Sequence, residues 1–146
     1  MKKAILFVLA VIAFAACKKD NDPTPADPAA AVSGNYTLNS FYSITEGDTL
    51  NFPTLPASYQ GVAVSGTLSA TKSTSNFVNM VLTLSATGTT IGTLPLDSVE
   101  VRQTGTTYNL YLGGTPLGTA DGTSINFDVS DNDPQDPFII RFKARK

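Results

Sequence analysis

The sequence predicts an all-β domain over residues 33–146, a small antiparallel barrel or sandwich of about eight strands. Apolar and polar residues alternate there with period two, the pattern of half-buried strands, and no stretch shows helical spacing of its apolar residues. Turn residues separate the alternating runs, among them Asp121-Gly122, a typical hairpin signal. Repeated short strands of this kind favour a closed barrel or two packed sheets.

The chain opens with a short apolar leader that ends at its single cysteine. A basic start is followed by apolar residues 4–14, and two small residues, Ala15 and Ala16, stand directly before Cys17. The apolar run is shorter than the roughly 20 residues that span a bilayer, so residues 1–16 are predicted to be a signal peptide. This segment resembles the lipobox of bacterial lipoproteins. The resemblance implies cleavage before Cys17 and attachment of fatty acyl groups, such as palmitate, to that residue; a plain secreted protein is the alternative.

Residues 17–32 are interpreted as the lipidated cysteine and a disordered tether. Prolines recur there among Asp, Thr and Ala, and no large apolar side chain follows Cys17 until Val32. Such a stretch buries too little apolar surface to fold, and its prolines favour an extended form. We expect the tether to hold the domain off a membrane, either at the outer membrane or at the cell surface.

The predicted strands then follow one another, and their inward-facing side chains are all uncharged. These side chains are Tyr36, Leu38, Val64, Leu68, Val78, Met80, Leu82, Leu84, Val101, Tyr108, Leu110, Leu112, Ile125, Phe127, Phe138, Ile140 and Phe142. An eight-stranded barrel has an interior just wide enough for side chains or for one small ligand. Because the predicted side chains are mostly large, we expect a largely filled core, with any ligand at the mouth.

The least regular part of the domain is residues 46–60, which contain two prolines. Leu50, Phe52, Leu55 and Tyr59 are scattered through it, and they predict a loop that packs across one open end. Long ordered loops are often functional, so these four residues are the candidate ligand-binding set. A crossover that merely plugs the core is the alternative interpretation.

Two parts of the domain carry a resemblance to a known family. Gly34-Asn35-Tyr36 at the head of the first strand resembles the Gly-x-Trp opening of lipocalin-like barrels, with tyrosine in place of tryptophan. The segments at residues 118–127 and 138–144 resemble the closing strands of small calycin-like lipoproteins of bacteria. This resemblance implies a barrel with one mouth and, in some members, a small apolar ligand.

The sequence offers little catalytic machinery. Histidine is absent and Cys17 is the single thiol, which excludes His-assisted serine catalysis, cysteine catalysis and the usual zinc ligand sets. The close carboxylates Asp97 and Glu100 flank a strand and are predicted to be solvated, whereas a catalytic carboxylate needs a cleft that shifts its pKa. We therefore expect a non-enzymatic protein without cofactors.

The acidic segment at residues 128–136 is a candidate calcium site. Calcium takes six to eight oxygen ligands, and Asp131, Asp133 and Asp136 would supply some of them. The spacing lacks the full EF-hand pattern. Asp, Asn and Pro are also ordinary turn residues, so a solvated hairpin connection is the alternative.

The charge balance bears on the choice of partner. The chain has 10 Lys and Arg against 12 Asp and Glu, a net charge of −2, whereas nucleic-acid binders show clustered basic surfaces. Positive residues gather at residues 141–146, where we expect a solvated strand end. The sequence thus predicts a lipid-anchored envelope protein that binds a small apolar ligand and no nucleic acid. The alternative is a structural or assembly lipoprotein that binds an envelope protein or a glycan.

The lipid anchor is testable through its single attachment point. Because one thiol would carry the lipid, Cys17→Ser should leave the leader uncleaved or move the protein from the membrane fraction to the soluble fraction. Fractionation and an intact mass measurement distinguish these cases. A Cys17→Ser protein that loses its leader and still sediments with membranes like the unmodified chain would refute lipidation.

Overall fold

The computed structural model describes residues 27–45, 48–131 and 138–146, and these residues form a closed antiparallel β-barrel. The leader, Cys17, Asp133 and Asp136 lie outside the described residues. The described elements are α1 (Pro28–Val32), β1 (Gly34–Thr45), β2 (Asp48–Phe52), β3 (Ala57–Tyr59), β4 (Val62–Lys72), β5 (Phe77–Ala86), β6 (Thr89–Thr104), β7 (Thr107–Leu112), β8 (Thr115–Ala120), β9 (Ser124–Asp131) and β10 (Phe138–Arg145).

Eight of these strands close the barrel. They neighbour one another in the order β1, β10, β9, β8, β7, β6, β5, β4, and β4 pairs back onto β1. The closing contact joins residues 34–37 to residues 67–70. The remaining two strands extend the sheet beyond the closure, β2 on β1 and β3 on β4. The all-β prediction is confirmed, and of the two architectures left open by the sequence the molecule has the barrel.

Apolar side chains fill the interior, largely as the alternation predicts. The buried members of the predicted set are Tyr36, Leu38, Val64, Leu68, Val78, Met80, Leu82, Leu84, Val101, Leu110, Ile125, Phe127, Ile140 and Phe142. Phe127 and Phe142 stack with ring centroids 4.6 Å apart. Tyr108 and Leu112 are only half-buried. The prediction for Phe138 is wrong: this side chain is 38% exposed, because Phe138 is the first residue of β10 and lies at the rim, opposite the last residue of β9, Asp131.

One edge of strand β1 pairs with β10, and its other edge is divided between two partners. Its first residues pair with β4, whereas residues 41–45 pair with β2. The register of β1 against β10 shifts between Leu38 and Ser40, which identifies a bulge at Asn39. The carbonyl of Asn39 accepts a hydrogen bond from the backbone N–H of Leu55 at 2.8 Å. A Cβ on Gly66 of β4 would lie 2.8 Å from the Leu38 side chain, so glycine leaves the space that Leu38 fills where the two strands separate.

The ordered domain begins earlier than the sequence suggests, because residues 28–32 form helix α1. Ala29 and Val32 are fully buried, and the Ala29 N–H donates to the carbonyl of Ser75 in the β4–β5 turn at 3.0 Å. Asp27 caps the helix by accepting a hydrogen bond from the Ala30 N–H at 3.0 Å. The sequence missed this element because small residues carry its buried face. Within the described ranges, no helix has the length and apolar character needed to cross a bilayer.

Helix α1 closes one end of the barrel. The phenol of Tyr36 donates a hydrogen bond to the Val32 carbonyl, and the Lys146 ammonium lies 5.2 Å from the centre of the Tyr36 ring. Lys146 also donates to the carbonyl of Ala31 at 3.3 Å. Burial raises the pKa of Tyr36 to about 12, with a smaller contribution from the negative charge of Asp121. Tyr36 therefore stays neutral and keeps its hydroxyl as a donor throughout the physiological pH range.

The register of β5 gives a direct test of the core. Leu82 is 3% exposed and faces inward together with Met80, as predicted, whereas Thr83 faces the other way. Leu82→Ala removes packed methyl groups and should lower the free energy of unfolding by about 2–5 kcal/mol, while Thr83→Ala should change it by less than about 1 kcal/mol. Urea unfolding measures both. Equal losses at residues 82 and 83 would contradict this register.

Candidate functional site

An apolar groove lies at the end of the barrel opposite α1. We call it the mouth groove. It encloses about 310 Å³ and is lined by Thr49, Leu50, Asn51, Phe52, Tyr59, Gln60, Val62, Val64, Ala86 and Ile91. Helix α1 contacts the turn that precedes β5, whereas Ala86 is the last residue of β5, so the groove and the helix occupy opposite ends. None of the ten lining residues is charged.

Strands β2 and β3 form the walls of the mouth groove. Leu50 and Phe52 alternate with polar residues on β2, and Phe52 stands opposite inward-facing Phe41 of β1. On the other wall, Tyr59 of β3 stands opposite Val62 of β4. The rings of Phe52 and Tyr59 meet edge to face, with centroids 6.1 Å apart. This aromatic pair joins the two walls, which do not pair as strands in the described sheet.

The groove is open because each wall strand has one partner. β2 hydrogen-bonds only to β1 and β3 only to β4, so the described sheet has its two free edges here. Pro53 and Pro56 lie in the connection between these strands and cannot donate ladder hydrogen bonds. Between the prolines, Leu55 turns inward and is 8% exposed. The connection between the two wall strands thus contributes Leu55 to the core, and the strands themselves do not pair with each other.

Exposed apolar surface is concentrated at this groove. Of the seven large apolar residues that the described part of the chain exposes, four line it: Leu50 at 46%, Tyr59 at 60%, Val62 at 39% and Ile91 at 57%. Below them, Phe52 and Val64 are buried and form the floor. Apolar surface in contact with water is unfavourable, and a contiguous patch of it commonly marks a binding site.

The predicted ligand-binding residues separate into two groups in the structure. Leu50, Phe52 and Tyr59 come together in the mouth groove. Leu55 does not line the groove, because its side chain is buried in the core cluster and its backbone N–H is held by the Asn39 carbonyl. The segment that the sequence describes as an irregular loop also contains strands β2 and β3. The alternation at Leu50 and Phe52 covers too few residues to predict a strand from the sequence.

Other groove residues could not be identified from the sequence as site residues. Val62 continues the inward face of β4 beyond the point where the barrel covers it. Ile91 lies where the register of β5 and β6 shifts, because Leu84 pairs with Gly92 and the next residue pairs with Thr90. This extra residue in β6 is a bulge, and a bulge redirects its side chain in a way that alternation does not reveal.

The candidate acidic residues form no comparable site. Asp131 is the exposed last residue of β9, and its suggested calcium partners lie outside the described residues. Among the residues that the structure describes, no three acidic, histidine or cysteine residues are grouped to hold a metal ion. Glu100 accepts two hydrogen bonds from Arg102, at 2.8 and 2.7 Å, which lower the pKa of this carboxyl. Asp97 is exposed on the outer side of β6.

The strongest perturbation of an acidic group lies at the closed end. The Asp121 carboxylate accepts hydrogen bonds from the backbone N–H groups of Thr123 and Ser124, at 2.8 and 2.6 Å, and from both hydroxyls. The Ser124 hydroxyl contributes most, and together these donors hold the pKa of Asp121 well below its usual range. Because all four donors belong to the β8–β9 turn, this arrangement explains the shape of that turn.

Comparison with known proteins gives one weak similarity. No protein-family description matches the chain, and no curated protein matches its sequence. Among solved structures, the chain is similar to a de novo designed fluorescence-activating β-barrel, with a TM-score of 0.38 and 13% identity. The match covers 82% of this chain and 97% of the designed chain. A similarity of this size carries no conclusion about function.

Proposed function

We propose that this protein is a lipid-anchored, non-enzymatic binding module of the outer membrane or cell surface that takes a small apolar ligand in the mouth groove. The observation that carries the proposal is the convergence of Leu50, Tyr59, Val62 and Ile91, all exposed, on one uncharged concavity. A ligand that covers these side chains removes their apolar surface from water, which is worth roughly 25 cal/mol for each Å².

The dimensions of the site favour a small ligand. A groove of about 310 Å³ lies at the lower end of the range for ligand pockets, roughly 300–1,000 Å³. Buried Phe52 and Val64 close its floor, and filled core lies beneath them. The ligand therefore sits at the rim and does not enter the barrel. Asn51, Gln60 and Thr49 supply uncharged polar groups at the edge, which suits a molecule with one neutral polar end.

The anchoring arrangement supports access to this site. The chain that precedes α1 reaches the barrel at its closed end, where Asp27 also forms an ion pair with Lys72 of β4. A lipid on Cys17 would attach the domain to the membrane through the tether at that end. The mouth groove, at the opposite end, would then be the end remote from the attachment point and open to a ligand. The lipocalin-like resemblance of residues 34–38 implies the same class of function, a barrel that carries a small apolar ligand.

A second candidate function rests on the free edges of β2 and β3. An extended polypeptide can add a strand to such an edge, which is the assembly role considered above. Here β3 has only three residues, and a proline adjoins each wall strand. Short edges next to prolines resist strand addition. These features favour the small ligand over the peptide.

Matched substitutions test the site. Val62 and Val81 are 39% and 40% exposed, but Val62 lines the groove, whereas Val81 lies on the outer face of β5. In the chain from Lys18 onward, Val62→Asp places a carboxylate in the apolar site and should weaken binding of the neutral probe N-phenyl-1-naphthylamine by about tenfold or more, or about 1.4 kcal/mol. Val81→Asp should leave it unchanged. Fluorescence titration measures both.

Two truncations extend the test without adding a charge. Tyr59→Ala and Ile91→Ala remove exposed apolar area, and each should weaken binding of the probe. Their circular dichroism spectra should be unchanged, which would show that both variants are folded. Equal losses in Val62→Asp and Val81→Asp, or full binding in Val62→Asp, would show that the probe binds elsewhere. Binding of extended peptides in the absence of probe binding would favour the assembly role instead.

A further inference from the structure

The last strand presents a row of positive charges on the outside of the barrel. Arg141, Lys143 and Arg145 are exposed and alternate with buried residues of β10, so all three face outward. Side chains two positions apart on a strand are about 7 Å apart along it. The whole chain has a net charge of −2, so this row is not part of a generally basic surface. We call it the basic row.

Two of these cations have no ion pair within the part of the chain that the structure describes. Arg141 pairs with Asp128 on β9 through a 2.8 Å contact. Lys143 instead lies beside Asn126, and Arg145 beside Ser124, in the neighbouring strand. Because these neighbours are uncharged, neither Lys143 nor Arg145 has an ion-pair partner on the adjacent strand. The side chains of this strand end are exposed to solvent, as the sequence predicts.

Two shallow troughs follow the basic row. The upper trough encloses about 340 Å³ between β1 and β9 and includes Tyr42, Asn126, Arg141 and Lys143. The lower trough, also about 340 Å³, includes Asn126, Lys143 and Arg145. Because Asn126 and Lys143 line both, the two troughs adjoin on the outer face, and we call them together the channel. The channel is open to solvent, and its lining includes hydroxyl, amide and cationic groups and the carboxylates of Asp121 and Asp128.

The two acidic residues in the channel cancel only part of the charge of its three cations. Asp128 is held by Arg141, and its carboxylate lies in the upper trough. Asp121 lies in the lower trough, where its oxygens accept the four hydrogen bonds of the β8–β9 turn. Neither carboxylate is paired with Lys143 or Arg145. An incoming anionic group therefore finds the two unpaired cations available on the same face.

We propose that the basic row and its troughs bind an anionic polysaccharide that carries carboxylate groups. The sugar acids pair with Lys143 and Arg145, and the sugar hydroxyls hydrogen-bond to neighbouring groups such as Asn126 and Ser124. Carboxylates accept charge-assisted hydrogen bonds from Arg and Lys. This binding goes beyond the small-ligand function proposed above and centres on the outer face of the barrel, although Asn51 and Phe52 line both the mouth groove and the upper trough.

The lining of the channel favours a glycan over a membrane surface. Segments that embed in the interface of an anionic bilayer insert exposed apolar side chains beside their basic residues. The Phe residues that border the upper trough are buried, as are Ile125 and Ala144 in the lower one. Exposed groups in the channel are polar apart from Pro53. A hydrated, hydroxyl-rich polymer matches these groups, whereas acyl chains do not.

The test compares two cations of the channel with a cation elsewhere. In the chain from Lys18 onward, Lys143→Gln with Arg145→Gln should weaken binding to polygalacturonate by about tenfold or more, or about 1.4 kcal/mol. Arg102→Gln is the control for loss of one positive charge outside the channel, because Arg102 is an exposed strand cation on β6 that pairs with Glu100. It should bind like the unmodified chain. Added salt should weaken the interaction, and neutral dextran should not bind.

Three outcomes would overturn the proposal. A loss in Arg102→Gln as large as the loss in Lys143→Gln alone would show attraction without a site. Equal or tighter binding of oligothymidylate would show a general affinity for polyanions. Stronger binding to phosphatidylglycerol vesicles than to polygalacturonate would assign the face to a membrane. Val62→Asp should keep full polygalacturonate binding, so failure of the mouth groove and failure of the basic row are separable.

Discussion

The architecture depends on the way β1 divides its hydrogen bonds between two strands. Over residues 34–37 it pairs with β4 and closes the barrel, and beyond the bulge at Asn39 it pairs with β2. Backbone groups that leave one partner need another, because unpaired buried N–H and C=O groups are costly. β2 and β3 supply these partners, and Leu55 in the connection between them is buried in the core. The mouth groove is the consequence of this division.

The two ends of the barrel also differ because β1 changes its partner between them. At the closed end, α1, Tyr36 and Lys146 hold one another through hydrogen bonds and a cation–π contact, and the core is sealed. At the open end the wall strands diverge, and apolar side chains face water. Because the interior between these ends is filled, the surfaces open to a ligand are the rim and the outer faces. The mouth groove lies at the rim, and the basic row lies on the outer face.

The sequence could predict those parts of the fold in which side-chain alternation alone decides burial. The stripe from Val78 to Leu84 is such a part, because β5 has neighbours on both sides along its whole length. Alternation fails where the neighbours change. It places Phe138 inside, although the barrel ends there, and it cannot show that a bulge displaces Ile91 or that Ala29 docks a helical turn. Three of the four candidate site residues lie in the groove because apolar side chains in a proline-interrupted segment must pack at an end of the barrel.

The central claim is that an apolar ligand occupies the mouth groove while the core stays filled. The most direct measurement is a methyl NMR titration of the chain from Lys18 onward with N-phenyl-1-naphthylamine. The account predicts shifts at the methyl groups of Leu50, Val62 and Ile91, which line the groove, and none at those of Leu68 and Leu110, which are fully buried below it. Shifts at Leu68 and Leu110 with unchanged signals from the groove would contradict the account, because they would place the ligand inside the barrel.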